Sequence, residues 1–242
     1  MSAAPNTLSH PIDIRNTLNV LFSYLFPRDK LCTAENPMHG KTEGNPSFEL
    51  IEHRGPDRAQ AENFISQCFA ESFGSNVQSF MPRLFSLRNG QGDICGAFGL
   101  RSANRKLFLE QYLDQPIEKA IADRHGNAVE RQCIVEVGHF SGAFPGAVRA
   151  MICLLTERLY HEGFTWVTFT GTASLRNAFS RMGLAPIDIQ AAEAERLPLE
   201  ERAAWGSYYA NAPHVLVGNI KEGYSALAER ALLAHQRMEK AA

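Results

Sequence analysis

The sequence predicts an α/β (α+β) protein built on a mixed, mostly antiparallel sheet. Three observations point there. Short β-like runs alternate with amphipathic helical stretches along most of the chain. The segment Asn89-Gly90-Gln91-Gly92-Asp93 separates two apolar runs and reads as a hairpin turn. A long helical stretch at 147–161 joins apolar strands at 133–140 and 166–170, the arrangement of one parallel crossover. With 242 residues, 45% hydrophobic and 21% charged, the composition is that of an ordinary folded chain. A net charge of −2 gives no global basic field, so no nucleic-acid partner is expected. No apolar run reaches the ~18 residues of a bilayer span, so no stable membrane insertion is expected.

The elements follow in order. Ile12, Ile14, Leu18, Leu21, Phe22, Leu25 and Phe26 recur at helical spacing and stop at Pro27. Residues 29–47 are polar and rich in turn formers, a linker. The expected division is therefore 1–46, an N-terminal helix and linker, and 47–242, the main domain. In that domain, 48–53 reads as a strand and 58–73 as a helix with Ala61, Phe64, Ile65, Cys68, Phe69 and Phe73 on one face. Runs 84–88 and 94–101 form the hairpin, and 107–122 is a helix interrupted at Pro116. The crossover follows, and then a short helix at 175–182 with Gly183 in the C′ position. A polar helical stretch at 199–209, a strand at 214–220 and a helix at 224–239 complete the chain. Met1 to Pro11 carries no Lys or Arg, unlike a secretory leader. Five widely spaced cysteines without a CxxC pair suggest reduced thiols and a cytoplasmic location. The first and last helices are candidates for a homodimer contact.

Several chemistries lack their motifs. There is no GxGxxG after a strand and no GxxxxGK[ST]. There is no HExxH or close His/Cys cluster, so no metal site is expected. Gly138-His139-Phe140-Ser141-Gly142 has the wrong spacing for a nucleophile elbow.

The stretch 133–184 is the most informative. A strand ends in the glycine-rich turn Ser141-Gly142-Ala143-Phe144-Pro145-Gly146, and a helix begins at Ala147 with Arg149 in its first turn. Backbone N–H groups there meet the positive end of the helix, an arrangement suited to phosphate, although an ordinary strand-to-helix turn looks the same. Glu136 lies mid-strand among apolar residues, facing the same side as Gly138, with His139 beside them. That pair suits general-base work, since burial raises a carboxyl and His titrates near neutrality. A structural Glu136 paired with Arg101 or Arg131, and a loop His139 bonded to backbone, are the plainer alternatives. Met151, Leu154 and Leu155 read as core. Trp205, Tyr208 and Tyr209 pack a helix or line an apolar channel.

This strand-loop-helix-strand-helix block resembles the acyl-donor core of the GNAT N-acyltransferases, down to the closing Asn177-Ala178-Phe179-Ser180-Arg181-Met182-Gly183-Leu184. The run 94–101 ending in Arg101, and Glu136-Val137-Gly138-His139-Phe140, are similar to strands of the acyl-homoserine-lactone synthase branch. The segment Leu107 to Glu118, the Ile-Val-Glu-Val-Gly strand, Phe169-Thr170-Gly171-Thr172 and Trp205-Gly206-Ser207-Tyr208-Tyr209 resemble the bacterial thermostable hemolysin family over about residues 48–225. The resemblance implies a GNAT-like sheet with a central splayed strand pair and helices on both faces.

It also implies an enzyme, an N-acyltransferase moving an acyl group, fatty acyl by preference, to the amine of a small polar acceptor such as an amino acid derivative. Acyl-CoA or the acyl-phosphopantetheine of an acyl carrier protein is the implied co-substrate, with no tightly bound cofactor. Glu136 and His139 are the implied catalytic residues. Val137, Gly138, Phe140, Ser141, Gly142, Gly146, Ala147 and Arg149 are assigned to the donor. Arg101, at a strand end with Glu110 and Asp114 just beyond, reads from the residues themselves as a site for an acceptor carrying carboxylate and amine, with a salt-bridged surface as the plainer alternative. Four positions depart from the family patterns. Ala143 and Val148 stand at the ends of the pyrophosphate loop, Ser180 stands where GNAT enzymes carry the Tyr that protonates the thiolate, and His139 replaces the synthase Arg. A non-catalytic ligand-binding module and a membrane-active haemolytic protein are the alternative functions.

Overall fold

The computed structural model describes residues 48–241. The expected N-terminal helix and linker lie outside the described residues. One compact unit, Gly44–Leu227, carries the whole sheet, and the end of the last helix from Ala228 belongs to a second unit.

The elements are β1 (Glu49–His53), α1 (Arg58–Phe73), β2 (Arg83–Arg88), β3 (Ile94–Ser102), α2 (Ile117–His125), β4 (Ile134–Gly142), α3 (Pro145–His161), β5 (Trp166–Gly171), α4 (Ala173–Arg181), β6 (Ile187–Ala191), α5 (Leu199–Ala204), β7 (His214–Asn219) and α6 (Ile220–Ala241). Seven strands form one sheet in the order β1-β2-β3-β4-β5-β7-β6. Only β4 and β5 run parallel, joined through α3. The α/β class and the mostly antiparallel sheet match the expectation.

Local chemistry sets the element ends. In the β2–β3 hairpin the Asn89 side-chain oxygen accepts the N–H groups of Gln91 and Asp93, and Gly92 takes φ +88°. At the end of α4, Gly183 adopts φ +73° and the Leu184 N–H reaches back to the Phe179 carbonyl, a Schellman-type stop.

Three expectations need correction. Residues 107–122 are not one interrupted helix. A 3-10 turn at Leu109–Tyr112 precedes α2, because the N–H groups of Leu107, Phe108 and Leu109 are taken by the Glu110 and Glu136 carboxylates. The helix predicted over 199–209 stops at Ala204, since Gly206 turns left-handed at φ +53° and a 3-10 turn, Tyr208–Asn211, follows. Strand β6 is an addition, pairing antiparallel with β7 at the sheet edge.

Side-chain alternation divides the sheet into two faces. Leu84, Ala97 and Gly99 point to the α1 side, where Met81 and Phe69 cover them. Gly96 and Gly142 point the other way and lie against Met151 of α3. A Cβ on Gly142 would come within 2.7 Å of Val148, so glycine there lets the strand end press on the first turn of α3. Ile134, Trp166 and Val217 continue the core under α2, with Ile117 and Ile121 above them. Each buried aliphatic side chain of this size contributes roughly 1.5–3 kcal/mol.

The turn after α1 is strapped to the turn after α5. The Asn76 N–H donates to the Ala204 carbonyl at 2.7 Å, and Ser207 N–H donates to the Phe73 carbonyl at 2.8 Å. A Cβ on Gly206 would lie 2.1 Å from the Phe73 carbonyl oxygen. Gly206→Ala is therefore expected to destabilise the fold by about 2 kcal/mol or more. Urea unfolding would read it as a lowered midpoint at unchanged slope.

Candidate active site

The site is built on an irregularity in β4. Its register with β3 pairs Leu100 with Val137 and Gly99 with Gly138, then resumes at Ala97 with Ser141. His139 and Phe140 together oppose Phe98, so β4 carries a one-residue bulge. His139 occupies the left-handed region at φ +55°, a conformation that costs a non-glycine residue about 1–3 kcal/mol. The parallel ladder ends just before the bulge. Val137 and Phe169 form the last β4–β5 pair, although β4 continues to Gly142 and β5 to Gly171. The strands part there, as the expected splayed pair requires.

The bulge also sorts side chains. Phe140 stacks on Phe98 at 6.1 Å, on the α3 face. His139 sits on the α1 face, its ring 6.2 Å from Phe69 and 5.6 Å from Phe80. Arg101 and Glu136 are cross-strand partners on that same face.

Glu136 is 2% exposed. Its Oε2 accepts the Phe108 N–H at 3.0 Å and its Oε1 accepts the Leu109 N–H at 2.9 Å. The nearest Arg101 nitrogen stands 3.9 Å from Oε2. Burial pushes the carboxyl up from its ordinary value, while the two N–H groups and Arg101 pull it down. Glu136 thus clips the segment at 107–109 to the middle of the sheet. Its partner of the two considered is Arg101; Arg131 is committed to Glu110 and Glu118.

His139 is a much weaker base than an exposed histidine. Burial, and then the Arg101 charge, lower its pKa to about 4, against a hydrogen bond from the ring to the Ser79 backbone, which raises it. The ring is neutral at pH 7, and its Nδ1 is buried without a hydrogen-bond partner. An unsatisfied acceptor of this kind costs about 1–3 kcal/mol unless a donor arrives.

A cavity of about 1220 Å³ opens at the parted strands. Its volume exceeds the ~300–1,000 Å³ common for small-molecule sites. Arg101, Glu136, Val137, Gly138, His139, Phe140, Ser141 and Gly142 all line it. Phe69, Phe73, Phe80, Phe108, Trp205 and Tyr208 give it an aromatic wall, and Arg149 and Arg181 give it two cations. Burial, then the neighbouring Arg181 charge, lowers the pKa of Arg149.

The remaining sequence-assigned residues lie elsewhere. Gly146 and Ala147 are buried in the first turn of α3, behind the cavity lining. Glu110 accepts the N–H groups of Leu107 and Ile117 and pairs with Arg131, and it does not face the cavity. Asp114 is exposed and pairs with Arg196 at 2.6 Å, also outside the cavity. Charge and spacing marked both as acceptor ligands, but backbone N–H groups and surface arginines engage them instead. Sequence reasoning missed Ser79, Phe80 and Met81, which cover the α1 side of the site from an irregular segment with no periodicity. No group of three or more His, Cys, Asp or Glu placed to hold a metal ion occurs among the described residues.

A family model described as thermostable hemolysin matches residues 51–224. The chain belongs to that family. No curated protein sequence matches it. Among solved structures, TofI in a ternary complex with an inhibitor and MTA shares 16% identity at a TM-score of 0.51, over 74% of this chain and 96% of that one. FeeM, an N-acyl amino acid synthase from uncultured soil microbes, shares 14% identity at a TM-score of 0.52, over 75% of this chain and 94% of that one. At these identities the likeness is one of fold, so this hemolysin-family chain has the fold of FeeM and TofI.

Two outcomes follow from the buried groups. Glu136→Gln replaces one acceptor oxygen by an NH2 group facing a backbone donor, and is expected to destabilise by about 1–3 kcal/mol. Hydrogen exchange should show faster exchange at the Phe108 and Leu109 amides. His139 binds a proton in the unfolded chain below about pH 6.5, but in the fold only near 4. Its contribution to stability is therefore complete above pH 6.5 and lost as pH falls toward 4, by on the order of 2–3 kcal/mol. His139→Asn, which tolerates the left-handed region, should flatten that range of the stability–pH curve in urea titrations.

Proposed function

We propose that this protein is an N-acyltransferase that moves an acyl group from a thioester to the amine of a small acceptor carrying a carboxylate. The observation that carries the reading is the gap beyond Val137 and Phe169, with Arg101, Glu136 and His139 gathered on one of its faces. A thioester arm is narrow and polar, and an edge of unpaired strand suits it. The donor's phosphate end meets Arg149 and Arg181, and the acyl chain, fatty by preference for so large and aromatic a cavity, lies among the phenylalanines. Coenzyme A or an acyl carrier protein supplies that arm.

Each residue then has a role that its surroundings support. Backbone N–H groups of the unladdered stretch from Gly138 polarise the thioester carbonyl. Arg101 pairs the acceptor carboxylate. His139 Nδ1, buried and lacking a donor, takes the amine proton as the nitrogen attacks. Glu136 positions Arg101 and the 107–109 segment. An acceptor carboxylate at Arg101 offsets some of the charge that depresses His139, so the base strengthens when its substrate arrives. FeeM, described as an N-acyl amino acid synthase, belongs to the same class of chemistry.

The test is a matrix of acyl-CoA and carrier-bound donors against amino acids, read by thiol release and by mass spectrometry of the N-acyl product. Wild type should form product, and His139→Asn should lose about 100-fold or more in kcat. Arg101→Gln should raise KM for the carboxylated acceptor and raise the His139 titration midpoint seen by NMR above 4. Absence of product with every pair would overturn the reading.

A further inference from the structure

A neutral primary amine brings two N–H groups to the proposed reaction, and His139 removes only one of them. We propose that Gln111 Oε1 receives the other, orienting the nitrogen and selecting acceptors that carry an amine, an inference that rests on the acyltransferase reading above. Gln111 lines the cavity and is half-buried. Its side-chain Nε2 donates to the Phe108 carbonyl at 3.2 Å, and its backbone N–H donates to the same oxygen at 3.2 Å. The amide is thereby turned with its nitrogen toward the backbone, and Oε1 has no hydrogen-bond partner among the described residues. A carbonyl oxygen only accepts, so what it lacks is a donor.

Gln111 belongs to the segment that Glu136 holds against the sheet. Phe108, whose carbonyl fixes the Gln111 amide, gives its own N–H to Glu136 Oε2, and Arg101 stands 3.9 Å from that same oxygen. The Gln111 amide is therefore tied through Phe108 to the carboxylate beside Arg101, on the face of the sheet that His139 occupies. Such an arrangement suits an acceptor whose carboxylate and amine lie close together. The neighbouring polar groups are already engaged. Glu110 closes on Arg131, the Tyr112 and Tyr209 hydroxyls hold each other at 2.6 Å, and Ser141 Oγ donates to the His139 carbonyl at 3.0 Å.

The acceptor ammonium first gives one proton to solvent. The lone pair so freed forms the C–N bond, and the C–S bond breaks with its pair on sulfur. One N–H proton passes to His139 Nδ1 and from there, through solvent, to the sulfur. The other N–H stays on the amide nitrogen, held by Gln111 Oε1 throughout. Gln111 neither gains nor loses a proton, so it is a positioning and specificity residue.

The experiment compares each amino acid acylated by the wild type with its deamino acid, the same carboxylate with hydrogen in place of the amine, used as a competitive inhibitor. Gln111→Met removes the acceptor oxygen at similar length. It should lower kcat/KM for the amino acid about 10- to 100-fold and leave the Ki of the deamino acid unchanged. Arg101→Gln should weaken both. Gln111→Glu loses the bond to the Phe108 carbonyl but keeps an acceptor oxygen, so it should preserve the wild-type ratio of amino-acid to deamino-acid affinity. Unchanged kcat/KM in Gln111→Met, equal weakening of the deamino acid, or a Gln111→Glu protein that behaves like Gln111→Met would overturn the assignment of Gln111. Failure of the wild type with every amino acid would instead overturn the acyltransferase reading itself.

Discussion

One extra residue in β4 organises the rest of the site. Without it, alternation would carry Glu136, Gly138 and Phe140 to the α1 face and turn His139 toward α3. With His139 in the left-handed region, Glu136, Gly138 and His139 share a face and Phe140 moves to the other. The ladder with β5 ends at Val137, on the edge of the same kink. Orienting a histidine and opening a gap thus meet at one place, and the backbone strain is localised where two strands lose contact. Packing holds the strain in place. Phe69 and Phe80 flank the ring, and Met81 fills the space above Gly99 and Gly138 so closely that a Cβ on Gly138 would come within 2.3 Å of its methyl.

Glu136 solves a separate problem. Residues 107–109 must cross the sheet without a ladder of their own, and unpaired buried N–H groups would be unfavourable there. A carboxylate rising from β4 accepts two of them and leaves Arg101 beside it at 3.9 Å. That distance is too long for a hydrogen bond, so the guanidinium is not saturated by its neighbour. Glu110 has the equivalent role nearby, taking the Leu107 and Ile117 N–H groups, but there Arg131 does close on the carboxylate. The two glutamates differ in what their arginines do: Arg131 is spent on structure, and Arg101 faces the cavity.

Strong local signals made most of the fold legible in the sequence. The Asn-Gly-rich turn, the apolar stripe of α1 and the Gly183 stop each act through nearby atoms, and each is where the pattern places it. Strand β6 was missed although Ile187-Asp188-Ile189-Gln190 alternates, because a five-residue edge strand after Pro186 carries too little apolar pattern to stand out. The bulge is invisible for a different reason. Histidine tolerates the left-handed region better than most side chains, but no neighbouring residue demands it, and only the register between β3 and β4 reveals it. Glu110 and Asp114 show the reverse error. Charge and proximity to Arg101 along the chain suggested ligands, whereas the partners that occupy them, Arg131 and Arg196, lie on other segments.

On the proposed reading, the two faces of the sheet divide the labour. Cations from α3 and α4 approach the gap from one side, and the aromatic wall with Arg101 and His139 closes it from the other. A histidine with a pKa of about 4 is a poor base while the cavity is empty. The larger cause is burial, which persists with substrate, and the smaller is Arg101, which an acceptor carboxylate neutralises. The arrangement thus ties proton removal to a correctly seated acceptor. An amine lacking a carboxylate would leave Arg101 uncompensated and His139 weak, so selectivity would arise in the chemical step as well as in binding.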